Sequence, residues 1–289
     1  MPGQMTDFME NKLADFFRAQ TLTPPSNWYL ALGSAASDSG FTELSGSGYA
    51  RVAILASLLN FAGTQAPGST TTSTGTSHAS SNNGAASWGD PGAAWGTANF
   101  IGLFDASSSG NCWMYFPIPA IVITTGSPNP VEILAGALLI ALGVTGGCAD
   151  YLANKLIDKI FRAQSFSWPA TLYLGLYTAA PSNAGGGTEV SAAGYARVAL
   201  VPSLTSICGT QSAGSVLASS GTGGEISNNA TLTFPAPTAD WGTVTHGGIF
   251  DAASSGNLLF WGALGSPITV DNGGTPPSYA DATLSLTLA

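Results

Sequence analysis

Two acid–base pairs lead the residues able to do chemistry. Glu43 precedes Arg51, and Glu189 precedes Arg197, by the same interval. A carboxylate beside a guanidinium can clamp a substrate, and acids of this kind carry glycoside hydrolysis when they occur in pairs. Each half of the chain offers only one such acid, next to a permanently charged partner, so the expectation is a structural ion pair across adjoining strands. Both arginines end a Gly-Tyr-Ala-Arg motif, which adds Tyr49 and Tyr195 to the same constellation. Asp105 and Asp251 each precede small residues and a Ser-Gly-Asn, the composition of a hairpin turn, and are expected to stabilise turns. His246, with Asp240 and Asp251, has the residue types of a metal or Ser-His-Asp site, yet metal-ligand spacing and a nucleophile elbow are missing. Gly185-Gly186-Gly187 has no Lys-Ser/Thr after it and opens no helix, so it is not a phosphate loop. Cys112, Cys148 and Cys208 form no CxxC and read as small hydrophobes. No catalytic residue, cofactor or metal is expected.

These residues recur because the chain is written twice. Asn11-Lys12-Leu13-Ala14-Asp15 returns as Asn154-Lys155-Leu156-Ile157-Asp158, an offset of 154−11 = 143, and Phe17-Arg18-Ala19-Gln20 returns as Phe161-Arg162-Ala163-Gln164, where 162−18 = 144. One residue is gained inside the second helix. From Gly48-Tyr49-Ala50-Arg51-Val52-Ala53 and Gly194-Tyr195-Ala196-Arg197-Val198-Ala199 onward the offset is 197−51 = 146, and it holds through Ser81-Asn82-Asn83, Trp95-Gly96-Thr97 and Phe104-Asp105-Ala106. Solenoid and propeller repeats are far shorter, so the period predicts two similar domains, residues 1–145 and 146–289. The repeat also tests the chemistry: Phe100 stands opposite His246, His78 has no histidine counterpart, and the cysteines are unmatched. None is a duplicated catalytic group.

The elements follow from periodicity. A helix capped by Thr6 or Asp7 runs through Gln20 with Phe8, Leu13, Phe16 and Phe17 on its apolar side, and Tyr151, Leu152, Leu156, Ile160 and Phe161 do the same in the second copy. Pro24-Pro25 and Pro169 end these regions. After each helix come short strands: 28–32, 49–55, 100–104 and 113–116, then 172–177, 195–201, 231–234, 247–250 and 258–261. The fold class is mainly β with one N-terminal helix per domain, two tandem helix-plus-antiparallel β-sandwich units. The apolar run Ile133–Leu142 is too short to cross a bilayer, and its counterpart 282–288 alternates, so both read as closing strands. A Ser/Thr-rich insertion within residues 66–94 reads as a surface loop or an arm.

Charged residues are 8% of the chain, well below the usual share, and the net charge is −9. Only seven residues are Lys or Arg, too few to displace counterions along a phosphate backbone, so nucleic acid is excluded as a partner. The 45% apolar fraction supplies a core for each copy. Residues 1–10 lack a basic start followed by an apolar run, so no signal peptide is expected and synthesis is cytoplasmic.

In order, the motifs resemble those of small virion proteins of tailed bacteriophages, labelled tail-fibre-like or structural. The resemblance is carried by Leu172-Tyr173-Leu174-Gly175-Leu176-Tyr177-Thr178-Ala179, Gly186-Gly187-Thr188-Glu189-Val190-Ser191, Gly194-Tyr195-Ala196-Arg197 and Trp241 through Ala252. The first copy departs at Ala31, at Phe100 and in the Ser/Thr-rich tract. The resemblance implies a non-enzymatic virion component with other virion proteins as partners, a major capsid protein or tail proteins, in a homo-oligomer or pseudo-symmetric assembly, with no membrane partner. Capsid decoration is the first expectation, since few charges and many small polar residues suit a flat multivalent contact. A tail fibre or tail adaptor is second, and a tail-associated glycan-binding or glycan-cleaving protein third.

Overall fold

The computed structural model describes residues 3–126, 131–142, 144–145 and 147–288. Strand β1 (Gln4–Met5) leads into helix α1 (Asp7–Phe17), where the Thr6 hydroxyl accepts the amide of Met9 and Asp7 and Glu10 sit in the first turn. Negative charge is favoured there by the helix dipole. The helix stops short of Gln20. Ala19 takes the left-handed conformation, φ 61°, so that the Ala19 and Gln20 amides turn back to the carbonyls of Phe16 and Asp15. These are the two bonds of a Schellman ending, which satisfies carbonyls before any proline is reached.

The first half continues with β2 (Asn27–Ser37), β3 (Gly40–Glu43), β4 (Val52–Leu55), β5 (Ala79–Ser81), β6 (Ala86–Ser87), β7 (Gly96–Phe104), β8 (Cys112–Ile123), β9 (Glu132–Ile133) and β10 (Leu139–Ala141). An antiparallel sheet runs β1-β8-β7-β2-β3, with β4 also on β2, while β5 pairs β10 and β6 pairs β9. Ile133, Leu138 and Ile140 from the small pairings share a buried cluster with Leu30, Ile101 and Leu103 of the main sheet. That shared cluster is the core of an antiparallel sandwich with a helix on it.

The second half has β11 (Val144–Thr145), α2 (Asp150–Phe161), β12 (Leu172–Ala179), β13 (Thr188–Glu189), β14 (Val198–Leu200), β15 (Glu225–Ser227), β16 (Leu232–Thr233), β17 (Gly242–Phe250), β18 (Leu258–Val270), β19 (Ser278–Tyr279) and β20 (Ser285–Leu288). Its main sheet runs β13-β12-β17-β18 with β14 on β12; β11 and β15 flank β20, and β16 pairs β19. At the place of β1 there is one bridge, Cys148 to Phe260. Helix α2 ends with Ala163 at φ 54°, and its Gln164 amide returns to the Asp158 carbonyl. The counterpart of Asp158 is Asp15, so the extra residue of the second copy widens the last turn while the Gln amide bond to the Asp carbonyl and the Arg–Asp ion pair are kept.

Several boundaries differ from those the sequence suggested. The run 133–142 is two short strands, β9 and β10, separated by a turn in which Gly136 has φ 78°. Strands β7, β8, β17 and β18 extend beyond the predicted spans, and Tyr49 and Tyr195 lie ahead of β4 and β14. The segment 66–94 is not an insertion: 210−64 and 228−82 both equal 146, so the copies have equal length there and differ only in composition. Nor is it all surface, since Ser80, Ser81, Ala86 and Trp88 are buried. Among the described residues no helix is long and apolar enough to cross a membrane.

Candidate functional site

The arginine that follows each helix reaches into the other half of the chain. Arg18, wholly buried, donates through Nε to the carbonyl of Ile207 at 2.9 Å, and its terminal nitrogens reach the carbonyls of Leu217 at 2.8 Å and Leu204 at 3.1 Å. It also bonds the Ser219 hydroxyl at 3.2 Å and Asp15 at 2.8 Å. Arg162, also wholly buried, donates through Nε to Phe61 at 2.9 Å and reaches the Thr71 carbonyl, the Ser73 hydroxyl and Asp158. The acceptors correspond: 207−61, 217−71 and 219−73 all equal 146. Asp15 accepts the Ser219 amide at 2.9 Å, and Asp158 accepts the Ser73 amide at 2.9 Å. Asn11 bonds Thr210 and the Gly221 carbonyl, and Asn154 bonds Thr64 and the Gly75 carbonyl.

A contact in which residue i meets j while the counterpart of j meets the counterpart of i is isologous, the geometry of a two-fold dimer. Here it is made within one chain. The apolar layer agrees, because one continuous cluster holds Leu13, Phe17, Trp28 and Phe61 together with Leu156, Phe161, Leu172 and Phe260. Phe161 packs on Trp28 and Phe61, Phe17 packs on Phe260 and Trp168, and the Lys159 ammonium lies 5.4 Å from the centre of the Phe16 ring. The Ser/Thr-rich tract is therefore a receptor loop for Arg162, not a free arm. The sequence marked these residues only as a repeat. Their one further signal was the Asn-x-x-x-Asp and Phe-Arg helix pattern in both copies, which gives no hint of acceptors 186 to 201 residues away for Arg18 and 89 to 101 for Arg162.

The symmetry is incomplete. His78, at φ 54°, bonds the Asp150 carboxylate through Nε2 at 2.5 Å, and its counterpart at 78+146 is Gly224. Glu10, buried in the first turn of α1, has Ala153 as its counterpart at 10+143. Burial first, then the charges of Asp7 and Asp38, push the Glu10 carboxyl up to about 7.

The Glu-Tyr-Arg residues meet within each half. Arg51 grips Glu43 with Nε at 3.0 Å and a terminal nitrogen at 2.7 Å, and its other terminal nitrogen donates to the carbonyls of Ala106 and Ser109 at 2.7 Å each. Its guanidinium lies 3.7 Å from the centre of the Phe104 ring. Tyr49 donates to Glu43 at 2.9 Å and accepts the Leu32 amide at 2.9 Å. Arg197, Glu189, Tyr195, Phe250, Ala252, Ser255 and Leu176 repeat every one of these contacts. The pairing strands differ from the expected ones: β3 and β4 each pair with β2, not with one another. Burial drives both phenols above their ordinary range.

Asp105 and Asp251 sit at the mouths of the loops that these arginines hold. Asp105 accepts from the Asn111 amide and side chain and the Trp113 indole at 2.7, 2.9 and 3.2 Å, and Asp251 accepts from Asn257 at 2.7 Å twice. Burial opposes the charge of Asp105, but the Asn111 and Trp113 hydrogen bonds outweigh it and lower its carboxyl. His246 contacts Thr245 at 2.9 Å, and Asp240 accepts the Asn272 amide at 2.8 Å. Asp240 and Asp251 lie at opposite ends of β17, so the imagined His-Asp cluster does not assemble. Among the described residues no group of three or more His, Cys, Asp or Glu is placed to hold a metal. Burial pushes the Cys112 and Cys148 thiols up to about 12, which leaves them protonated and unreactive.

A family model described as podophage GP4 fiber I protein gp80 matches the chain twice, over residues 4–140 and 147–287. No curated protein matches it. Each match holds one helix, one arginine of the reciprocal contact and one Glu-Tyr-Arg constellation. The chain therefore belongs to the podophage GP4 fiber I protein gp80 family and is a phage virion structural protein built of two tandem modules.

Proposed function

We propose that the chain is a non-enzymatic fibre subunit of a podophage particle, working as a dimer-like block made in one piece that joins other virion proteins. The observation that carries this reading is the family match over both halves, and the reciprocal Arg18 and Arg162 contacts give it a mechanism. Fusion makes the association of the two modules intramolecular, so the block forms at any protein concentration. In this reading residues 1–145 and 146–289 are the modules. Glu43, Tyr49, Arg51 and Asp105, with Glu189, Tyr195, Arg197 and Asp251, brace the loops at one end of each sheet instead of serving catalysis, because the carboxylates and guanidiniums are bound to groups of the fold itself.

Capsid decoration is the second reading. The 8% charge content and the doubled module favour it, as both suit a multivalent contact with a shell. Quantifying the protein in purified virions by mass spectrometry, with antibody-gold labelling, separates the two. The fibre reading expects a few to a few tens of copies placed on the tail or its vertex. Hundreds of copies spread over the head would overturn it in favour of decoration.

A further inference from the structure

The two modules share a fold but not a filled interior. In the first, Ile101 and Phe116 pair across β7 and β8 and are both 1% exposed. Their counterparts at +146 are Gly247 and Gly262, which pair across β17 and β18. Other large side chains shrink as well: Trp28 corresponds to Leu172 at +144, Phe61 to Ile207 and Trp88 to Phe234 at +146. The walls respond. Leu103, Ile133, Leu138 and Ile140 are buried in the first module, whereas Ile249, Tyr279, Leu284 and Leu286 are half-buried in the second. The result is a partly open cavity of about 770 Å³ between β12, β17 and β18 on one side and the β16–β19 and β15–β20 pairings on the other.

Protein interiors are close-packed, so a space of this size is an exception, and its volume falls in the range of small-molecule sites. Among the described residues no Asp, Glu, Lys, Arg or His lines it. Serine and threonine side chains and Asn228 also line it, and the Tyr279 hydroxyl lies over Gly247, where a side chain would meet it at 2.5 Å. That hydroxyl makes no hydrogen bond to a described residue and opens on the cavity, where solvent reaches it; burial of the ring raises it to about 12, so it keeps its proton as a donor. The buried indole N–H of Trp168, another lining residue, also lacks an acceptor among the described residues.

We propose that the second module binds one small, uncharged, mainly apolar molecule in this cavity, with an acceptor atom of the ligand meeting the Tyr279 hydroxyl. The chemistry of the occupant follows from what is missing. The first module fills the same space with a benzyl and a branched aliphatic group, so the ligand replaces that apolar bulk. A lining without charged side chains among the described residues disfavours an ion, and the Tyr279 hydroxyl and the unpartnered Trp168 indole offer donors to an acceptor. This inference stands apart from the fibre reading, which concerns where the chain sits in the particle.

The full chain titrated with 6-propionyl-2-dimethylaminonaphthalene, a neutral fluorophore carrying a carbonyl acceptor, tests it. The expected result is a blue-shifted emission saturating at one probe per chain. The triple variant Gly247→Ile, Gly262→Phe, Tyr279→Ile copies the first module at these positions and is expected to weaken binding at least tenfold. Tyr279→Phe keeps the cavity and is expected to weaken binding several-fold with an unchanged thermal midpoint, which keeps the test open if the triple variant does not fold. No saturable binding to the natural chain, two probes per chain, or undiminished binding to a folded triple variant each overturns the proposal. Binding by the isolated chain but exclusion from intact virions also overturns it, by assigning the cavity to a neighbouring subunit's side chains.

Discussion

Glu10 is the most exposed to pH of the buried charges, because its carboxyl in the fold titrates near 7 instead of in the usual carboxylate range. The folded chain holds this proton more tightly than the unfolded chain does. Stability from this group is therefore complete below about pH 4.5 and is lost as pH rises through about 7. Glu10→Gln is expected to raise the urea midpoint at pH 8 and to flatten the fall in stability between pH 5 and 7.5. A pH profile identical to that of the natural chain would sink this account. Asp105 acts in the opposite sense: its lowered carboxyl adds stability above the ordinary carboxylate range that is lost only in stronger acid. At this scale the Glu43–Arg51 and Glu189–Arg197 pairings were legible in sequence, because the partners are local and occur twice. Arg18 and Arg162 were not, since their acceptors are backbone carbonyls, which no residue type announces.

Among the elements, the helices show how an insertion is tolerated. Arg18 pairs with Asp15 three residues back, and Arg162 pairs with Asp158 four residues back. Both spacings put the two side chains on one helix face, so the added residue changes the last turn but not the ion pair. Each helix then turns on an alanine in the left-handed region, which costs a residue with a Cβ roughly 1–2 kcal/mol. Ala19 is exposed, so removal of its methyl group forfeits little burial. Ala19→Gly is expected to stabilise the chain by about 1 kcal/mol in urea denaturation, the relief of strain being partly offset by a more flexible unfolded chain. A loss of stability would mean that the left-handed turn is not the strained point. The helix ends at Phe17 and not at Gln20 for a related reason: backbone hydrogen bonds from Ala19 and Gln20 set the turn ahead of the prolines.

At the scale of the molecule, the two halves form one core. A protease site placed between Thr145 and Gly146 is expected to leave the cleaved halves together on size-exclusion chromatography. Changing both Arg18 and Arg162 to Met in that cleavable chain is expected to release them. Arg162→Met strips the buried Asp158 carboxylate of its guanidinium, a loss of roughly 3–5 kcal/mol, and Arg18→Met does the same to the partly exposed Asp15 at a smaller loss. Separation of the natural halves on cleavage alone would show that the contact depends on the link between them.

The double writing of the chain, the helix-then-strands order and the local ion pairs follow from residue type and spacing, because each depends on neighbours within a few positions or on comparison of the two copies. Tertiary structure alone decided that each module hands its arginine to the other, that the Ser/Thr-rich tract receives one of them, and that Gly247 and Gly262 open a space their counterparts fill. These depend on atoms brought together from distant parts of the chain. A periodicity reports which face of an element is apolar; it does not report what that face meets.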